Sequence, residues 1–221
     1  MFRATTTAAL PEDVAAFVDA VNGVDDQPQV IRGLFAADVA IFVGRAPGRM
    51  DVMGGIADYS GSLVLQMPIR EAAVAGVQRE TASRQIQLVS LGAVERSESF
   101  SFHLDDLMHD GQPVDYEAAR AFFAATHEHR WAAYLGGAFL VLMRECGVHF
   151  EVGCRILLDS QVPDGKGVSS SAAIEVATMQ AICGAFDIHL EPRALALLCQ
   201  KVENLIVGAP CGVMDQMASA C

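Results

Sequence analysis

The chain has 221 residues, of which 52% are hydrophobic, and its 27 acidic and 15 basic residues give a formal net charge of −12. A chain of this length and apolar content can bury one good core or two small ones, which argues against disorder. Because the acidic balance would repel a phosphate backbone, nucleic acid is not an expected partner.

The sequence also argues against membrane insertion and export. No apolar run approaches the roughly 18 residues that a membrane-spanning helix needs, and the N-terminus lacks a basic region followed by an apolar core. The six cysteines form no Cys-x-x-Cys pair and lie mostly in apolar stretches, where a reduced thiol behaves as a small hydrophobe. We therefore expect a cytoplasmic protein with no membrane partner.

The first half of the chain predicts one helix followed by strands. Val14, Phe17 and Val21 recur at helical spacing after Pro11, and Asn22-Gly23 ends the pattern. Strand-like runs then follow at 39–43, 63–69, 72–79 and 85–91. The polar turn at 80–84 between the last two runs indicates antiparallel sheet.

The second half is mostly helical. Apolar residues recur at helical spacing from Tyr116 to Met143, and Gly136-Gly137 is expected to break this stretch. A strand-like run at 150–158 precedes two predicted helices, at 170–186 and at 192–207. Pro192 suits the first position of the second helix. Strands first and helices later predict an α+β fold.

A glycine- and serine-rich segment, Pro163-Asp-Gly-Lys-Gly-Val-Ser-Ser-Ser171, connects the last strand to the first of these helices. Flexible glycines and consecutive hydroxyls before a helix predict a loop that wraps backbone N–H groups around phosphate. The spacing differs from the Gly-x-x-x-x-Gly-Lys-Ser/Thr pattern. Taken alone, the segment also fits an ordinary loop with a good helix cap.

Two further segments change this interpretation. One is Gly44-Arg-Ala-Pro-Gly-Arg-Met-Asp-Val-Met-Gly-Gly-Ile-Ala-Asp-Tyr-Ser-Gly61, and the other is Cys199-Gln-Lys-Val-Glu203, which lies twelve residues before Asp215. In this order, the three segments resemble the GHMP small-molecule kinases and, within them, the galactokinase branch. The run Arg49–Tyr59 is similar to that of the L-arabinokinase type.

The resemblance covers residues 40–221 and implies a fold, domain limits and two ligands. The fold would be the N-terminal domain of a GHMP kinase, which is similar to domain 2 of ribosomal protein S5. Residues 37–221 would form this ATP- and sugar-binding domain, and residues 1–36 a lead segment and helix. Small-molecule sugar and ATP are the implied partners, with Mg²⁺ as cofactor.

The resemblance also implies which residues hold ATP and the cation. The phosphate loop would use Gly165, Gly167, Val168, Ser169, Ser170 and Ser171. Ser170 and Glu203 would bind Mg²⁺, which prefers oxygen ligands. Without the motif, Ser170 fits a helix cap and Glu203 a solvated helix face. Trp131 and Tyr134 are interpreted first as packing residues and second as the adenine side of the site.

Catalysis of phosphoryl transfer requires a group that accepts or orients the hydroxyl proton, together with positive charge near the transferred group. The resemblance assigns these roles to Asp215 and Arg49, for which a structural salt bridge is the alternative. It assigns sugar contacts to Asp58 and Gly212. His127 and His129 lack a metal-ligand spacing, and no metal is assigned to them.

The first motif departs from galactokinases at two positions. They have Gly-Glu-His-Thr-Asp-Tyr where this chain has Gly54-Gly-Ile-Ala-Asp-Tyr59. In the family, the Glu and His meet the C6 hydroxyl end of galactose, whereas Gly55 and Ile56 offer no side-chain hydrogen bond. L-Arabinose lacks that hydroxymethyl group, and leaving the galactose hydroxyl unpaired would cost about 1–3 kcal/mol.

These residues predict a sugar-1-kinase that favours L-arabinose, with galactose as runner-up. A sugar- and ATP-binding regulator of the same fold is one alternative, and a GHMP kinase for another acceptor is a second. The chain stops at Ala218–Cys221 in the middle of an apolar pattern, whereas members of the family carry a further C-terminal half. We therefore expect a truncated polypeptide in which that half is missing.

Overall fold

A computed structural model of the protein describes residues 1–6, 8–23, 31, 33–91, 97–125 and 130–221. Within this part of the chain, a five-stranded sheet has the order β1-β2-β7-β3-β4, and β5 and β6 form a small separate hairpin. The strands are β1 (Phe42–Met53), β2 (Leu65–Arg79), β3 (Gln85–Leu91), β4 (Ser97–His103), β5 (Met108–His109), β6 (Gln112–Pro113) and β7 (Cys154–Ser160). Neighbouring strands of the sheet are antiparallel except for β3 and β7, which are parallel.

The helices are α1 (Glu12–Asn22), α2 (Tyr116–Ala124), α3 (Ala132–Cys146), α4 (Ser170–Ala185), α5 (Pro192–Lys201) and α6 (Met214–Ala220). Short 3₁₀ turns occupy Gly55–Ser60 and Leu104–Leu107, and a π-helical turn, Val202–Val207, continues α5. This mixed architecture confirms the predicted α+β fold. No helix in the described residues is long and apolar enough to cross a membrane.

The sheet separates two hydrophobic cores because alternate residues of a strand point to opposite faces. In β2, Ala73 and Ala75 belong to the large core that also contains α3 and α4. Val74 belongs instead to a smaller core with Phe17 of α1. Helix α4 therefore lies on one face of the sheet and α1 on the other.

Helix α4 approaches the sheet most closely at Gly44 of β1. A Cβ atom at this position would lie 2.1 Å from the Ala177 carbonyl oxygen, far inside van der Waals contact. Glycine at position 44 therefore allows the backbones of β1 and α4 to touch. This contact holds the middle of α4 against β1, the strand that carries the first motif.

Several predicted elements differ from the structure, including the run at 150–158, which corresponds to β7 at Cys154–Ser160. The runs at 63–69 and 72–79 belong to the single strand β2, and the run at 39–43 leads into β1, which continues through the first motif to Met53. Strand β4 was not predicted. The predicted helix at 192–207 ends as an α-helix at Lys201, and the π-helical turn completes it.

The predicted helix break at Gly136-Gly137 is wrong, because both glycines are buried inside α3. A Cβ at Gly136 would lie 2.7 Å from the Phe123 ring, and one at Gly137 would lie 2.9 Å from Val202. These glycines allow close packing against neighbouring elements, and they do not end the helix. The interruption instead follows α2, where residues 126–129, including His127 and His129, lie outside the described residues.

Candidate active site

The predicted phosphate loop connects the end of β7 to the first turn of α4. Gly165 and Gly167 have φ angles of +66° and +71°, and Ser169 has a φ angle of +58°. Left-handed residues at alternate positions are typical of backbone turns that gather N–H groups into an anion-binding concavity. The N-terminus of α4 adds its partial positive charge at the same place.

The three serines of this loop make different contacts. The Ser170 hydroxyl donates to Asp164 Oδ1 at 3.0 Å, and the Ser171 hydroxyl donates to the Glu203 carboxylate. The Ser169 hydroxyl is buried and has no hydrogen-bond partner among the described residues. The loop therefore combines a bent backbone with an unsatisfied hydroxyl.

Strand β1 brings the first motif directly against this loop. The Arg49 backbone N–H donates to the Val168 carbonyl oxygen at 3.0 Å. A Cβ at Gly48 would lie 2.7 Å from the same oxygen, so a larger residue would separate strand and loop. This backbone contact places the Arg49 side chain beside the loop.

Arg49 and Asp215 form an ion pair, although they lie 166 residues apart in sequence. The Arg49 Nε and Nη2 atoms lie 2.8 and 2.7 Å from Asp215 Oδ1, and Nη1 donates to the Gly167 carbonyl oxygen at 2.6 Å. The Arg49 side chain is 8% exposed and that of Asp215 is 21% exposed. One guanidinium group therefore links the phosphate loop to α6 and leaves the carboxylate accessible.

The loop that follows β1 reaches α6 from the other side. Asp58 Oδ2 accepts from the backbone N–H of Met214, the first residue of α6, at 2.9 Å. A Cβ at Gly212 would lie 1.8 Å from the same Asp58 oxygen, so any other residue there would displace the carboxylate. The Tyr59 hydroxyl donates to the Pro210 carbonyl oxygen at 2.7 Å. Asp58 and Asp215 thus come together around the start of α6.

Gly55 and Ile56 lie at the outer end of this loop. Gly55 has a φ angle of +48°, and its N–H donates to Asp51 Oδ2 at 2.7 Å. Hydrogen bonds from Gln66 and then from Gly55 lower the pKa of Asp51. Ile56 is 85% exposed. These two residues therefore line open space beside the Asp58 loop and are not packed in the core.

Glu203 lies on the π-helical turn and is 7% exposed. Gln216 Nε2 donates to its Oε2 at 2.6 Å, and the Cys211 thiol lies 3.5 Å from the same oxygen. Burial raises the pKa of Glu203, while the hydrogen bonds from Ser171 and Cys211 oppose this shift. The hydroxyl and carboxylate oxygens of Ser170 and Glu203 are the ligand type that Mg²⁺ prefers.

No group of three or more His, Cys, Asp or Glu side chains in the described ranges is arranged to hold a metal ion. This donor set still fits Mg²⁺, which typically takes one or two protein ligands and completes its shell with water and phosphate oxygens. It does not resemble the closed cage of a structural metal. A cation here would therefore depend on a bound phosphate group.

A cavity of about 240 Å³ opens beside the phosphate loop. It is lined by Trp131 and Tyr134 and by Asp164, Ser170 and Ser171 of the loop region. The Trp131 Nε1 atom is buried and has no hydrogen-bond partner among the described residues. Burial, followed by the charge of Glu203, raises the pKa of Tyr134 to about 12, so its phenol stays neutral.

Two residues near the candidate site were missed by the sequence analysis. Glu175 is the sole charged residue of α4, and it is 1% exposed. Gln216 follows Asp215 and is fully buried between Glu175 and Glu203. The sequence did contain a signal for Glu175. A single carboxylate in an otherwise apolar helix is costly to bury unless it has a hydrogen-bond partner or a function.

Two family models match the chain. The galactokinase galactose-binding signature matches residues 32–79, and the GHMP kinases N terminal domain matches residues 133–221. The first match contains Arg49 and Asp58, and the second contains the phosphate loop, Glu203 and Asp215.

Curated relatives agree with these models. The chain is 53% identical over 211 aligned positions to L-arabinokinase of Arabidopsis thaliana, with coverage of 86% of this chain and 20% of the relative. It is 37% identical over 179 positions to a galactokinase of Streptomyces coelicolor, with coverage of 81% and 41%. The chain therefore spans less than half the length of these relatives.

Solved structures share the fold. The galactokinase of Lactococcus lactis in complex with galactose has a TM-score of 0.67 at 22% identity, covering 93% of this chain and 46% of that one. A mevalonate kinase has a TM-score of 0.60 at 17% identity, covering 82% and 51%. These structures show the fold, and the two family models with the curated relatives show that the chain belongs to the GHMP kinase family, on its galactokinase branch.

Proposed function

We propose that the protein acts in ATP- and Mg²⁺-dependent phosphorylation of a monosaccharide at its anomeric C1 hydroxyl, with L-arabinose as the favoured acceptor. The observation that carries this proposal is the Arg49–Asp215 pair, which joins the phosphate loop to α6. A structural salt bridge alone does not require a further contact between the arginine and a phosphate loop. Here the same guanidinium also binds the Gly167 carbonyl oxygen within that loop.

In this proposal the loop from Gly165 to Ser171 binds the ATP phosphates through backbone N–H groups and the N-terminus of α4. Both arginine contacts engage Asp215 Oδ1, and Oδ2 is the oxygen that accepts the hydroxyl proton of the sugar. The sugar oxygen then forms a bond to the γ-phosphorus, the bond from that phosphorus to the ADP oxygen breaks, and ADP leaves. Arg49 offsets the negative charge that develops beside it.

Ser170 and Glu203 are the residues that would hold Mg²⁺. When bound, the ion neutralises phosphate charge and so supports transfer. The Ser171 and Gln216 hydrogen bonds to Glu203 keep that carboxylate in place within a buried setting. Asp58 would bind sugar hydroxyls. Its carboxylate accepts from the backbone N–H of Met214, the residue immediately before Asp215, and therefore lies near the proposed proton acceptor.

The preference for L-arabinose follows from Gly55 and Ile56. Neither side chain can form a hydrogen bond with a C6 hydroxyl, so galactose would lose about 1–3 kcal/mol if that hydroxyl were left unpaired. The 53% identity to a protein named L-arabinokinase supports the same acceptor.

None of the six cysteines, all of which lie in the described ranges, forms a disulfide, which favours a cytoplasmic location.

The test is ADP release in the presence of Mg-ATP and either L-arabinose or D-galactose. It should use both the 221-residue chain and the full product of its gene, with sugar binding measured in parallel by calorimetry. A clear preference for L-arabinose supports the proposal. A preference for D-galactose overturns the acceptor assignment, and saturable binding of ATP and sugar without ADP release supports a regulator in place of a kinase.

A further inference from the structure

Three polar side chains from three elements meet beneath the proposed catalytic groups. Gln216 of α6 places its amide nitrogen 2.6 Å from Glu203 Oε2 on the π-helical turn and 3.3 Å from Glu175 Oε2 on α4. Glu175 is 1% exposed and Gln216 is fully buried. Because a carboxamide nitrogen carries two hydrogens, it can donate to both carboxyl groups at once.

Two oxygens in this cluster lack partners. Glu175 Oε1 and Gln216 Oε1 are both buried, and neither has a hydrogen-bond partner among the described residues. An ionised carboxylate has acceptors only, so an ionised Glu175 could not donate to Gln216. A carboxyl group that carries its proton on Oε1 supplies the missing donor.

The surroundings of Glu175 agree with a neutral carboxyl group. Burial, followed by the negative charge of Glu203, raises its pKa well above the ordinary value, and the charge of Asp215 acts in the same direction. Only the hydrogen bond from Gln216 opposes this shift. A neutral Glu175 also avoids two ionised carboxylates sharing one buried amide.

We propose that Glu175 and Gln216 form a carboxyl–carboxamide pair that positions the Glu203 carboxylate. The pair fixes the orientation of the Gln216 amide, so that an N–H and not the carbonyl oxygen faces Glu203. It also ties α4, which begins at the phosphate loop, to α6, which carries Asp215. Both residues are positioning residues, and the consequence for cation binding rests on the proposed function.

The test compares Glu175→Met, Glu175→Gln and a matched control, Thr178→Val. Thr178 lies three residues further along α4, is fully buried, and has a hydroxyl without a partner in the described part of the chain. The first readout is amide hydrogen exchange of segments 202–207 and 214–220 in the protein without ligand. The second is Mn²⁺ affinity in the presence of ATP, measured by electron paramagnetic resonance.

We expect Glu175→Met to speed exchange in both segments and to weaken Mn²⁺ affinity, each by about tenfold, because a buried hydrogen-bonded pair is lost. Glu175→Gln should restore both quantities to within about threefold of the parent, because an amide can replace the neutral carboxyl group. Thr178→Val should change neither segment selectively. Rescue by Gln separates positioning from a general loss of packing.

The inference is overturned if Glu175→Met matches Thr178→Val in both exchange segments, or if Glu175→Gln is as harmful as Glu175→Met. Failure of the proposed function gives a different result. In that case the parent protein releases no ADP from Mg-ATP in the presence of sugar, whereas the exchange measurements still report on the Glu175–Gln216 pair.

Discussion

At Gly44 and Gly48, β1 lies so close to α4 and the phosphate loop that a Cβ atom would overlap backbone oxygens. Seven residues after Gly48, a segment begins that is largely exposed, from Gly55 to Leu65. The exposed apolar residues around this loop include Val52, Met53, Ile56, Leu63 and Leu65. The proposed phosphate side of the site is thus built from buried backbone contacts, and the proposed sugar side from an outer loop.

The two sides are held by different interactions. Arg49 and the phosphate loop are fixed by the ion pair between the buried Arg49 side chain and Asp215 and by backbone contacts between elements. The hydrogen bonds that hold the outer loop include those from Gly55 to Asp51, from Met214 to Asp58 and from Tyr59 to Pro210. A loop on a rigid scaffold can change its side chains with little effect on the core. In the proposed function, side chains of the outer loop can therefore change while the proposed phosphate side stays the same.

The largest expected effect on activity comes from Asp215→Asn on the rigid side. This variant removes the proposed proton acceptor while keeping the side-chain shape, so we expect kcat to fall about 1,000-fold. ATP binding should remain nearly intact, because the loop backbone is unchanged. ADP release and calorimetric ATP affinity measure the two quantities. Activity equal to that of the parent would remove Asp215 from its assigned role.

The largest expected effect on stability comes from Gly44→Ala. The added Cβ would meet the Ala177 carbonyl oxygen at 2.1 Å, so we expect the free energy of unfolding to fall by about 3 kcal/mol. Gly61→Ala on the sugar side is the matched control. Gly61 has a φ angle of +70° with nothing within 4 Å, so only backbone strain of about 1 kcal/mol is expected.

Urea unfolding of the two glycine variants provides the measurement. Equal losses would contradict the contrast between a rigid phosphate side and a tolerant sugar side. A larger loss of unfolding free energy for Gly61→Ala than for Gly44→Ala would show that the outer loop tolerates change less well than the β1–α4 contact.

Asp58→Ala tests the connection between the two sides. It removes the acceptor for the Met214 N–H, so we expect a loss of about 1 kcal/mol in stability together with weaker sugar binding. Tyr59→Phe is the control, since it removes a partly exposed hydrogen bond worth about 0.5 kcal/mol. Calorimetry with sugar and with ATP separates the effects. Equal weakening of both ligands would show that Asp58 acts through the fold and not at the sugar.

The smallest effect concerns acceptor choice. The double variant Gly55→Glu and Ile56→His adds polar side chains at two outer positions, and it should shift the ratio of kcat/KM toward D-galactose by about tenfold. Ile56 is 85% exposed, so its replacement should change stability little, whereas Glu at position 55, where the φ angle is +48°, should cost about 1 kcal/mol of backbone strain. Competition between the two sugars in one reaction measures the ratio. An unchanged ratio would remove Gly55 and Ile56 from the specificity assignment.

The residues of the site could be predicted from sequence to the extent that they lie in contiguous motifs. Arg49, Asp58 and Asp215 were selected from separate segments, and the structure brings them together around the start of α6. Their chemical roles stay predictions. The resemblance supplied these positions, whereas periodicity alone predicted only the alternation of strands and helices.

The remaining features depend on contacts between distant elements. Strand β4 contains Phe100 and Phe102 alternating with polar residues, a pattern that was visible but preceded by a stretch without clear periodicity. Gly136-Gly137 was predicted to break the helix because glycine is a poor helix former. The reason for glycine here is the close approach of Phe123 and Val202, which the local sequence does not reveal. The Glu175–Gln216 contact joins residues 41 positions apart, so no local pattern could reveal it.

The most direct test of the central proposal is ³¹P NMR of the sugar product formed by the full gene product from Mg-ATP and L-arabinose. We expect a phosphorus signal coupled to the anomeric proton, which demonstrates transfer to the C1 hydroxyl, and we expect Asp215→Asn to form this product about 1,000-fold more slowly. Phosphate on another carbon, or the same product formed by Asp215→Asn at the parent rate, would contradict the proposed arrangement of Arg49, Asp215 and the phosphate loop.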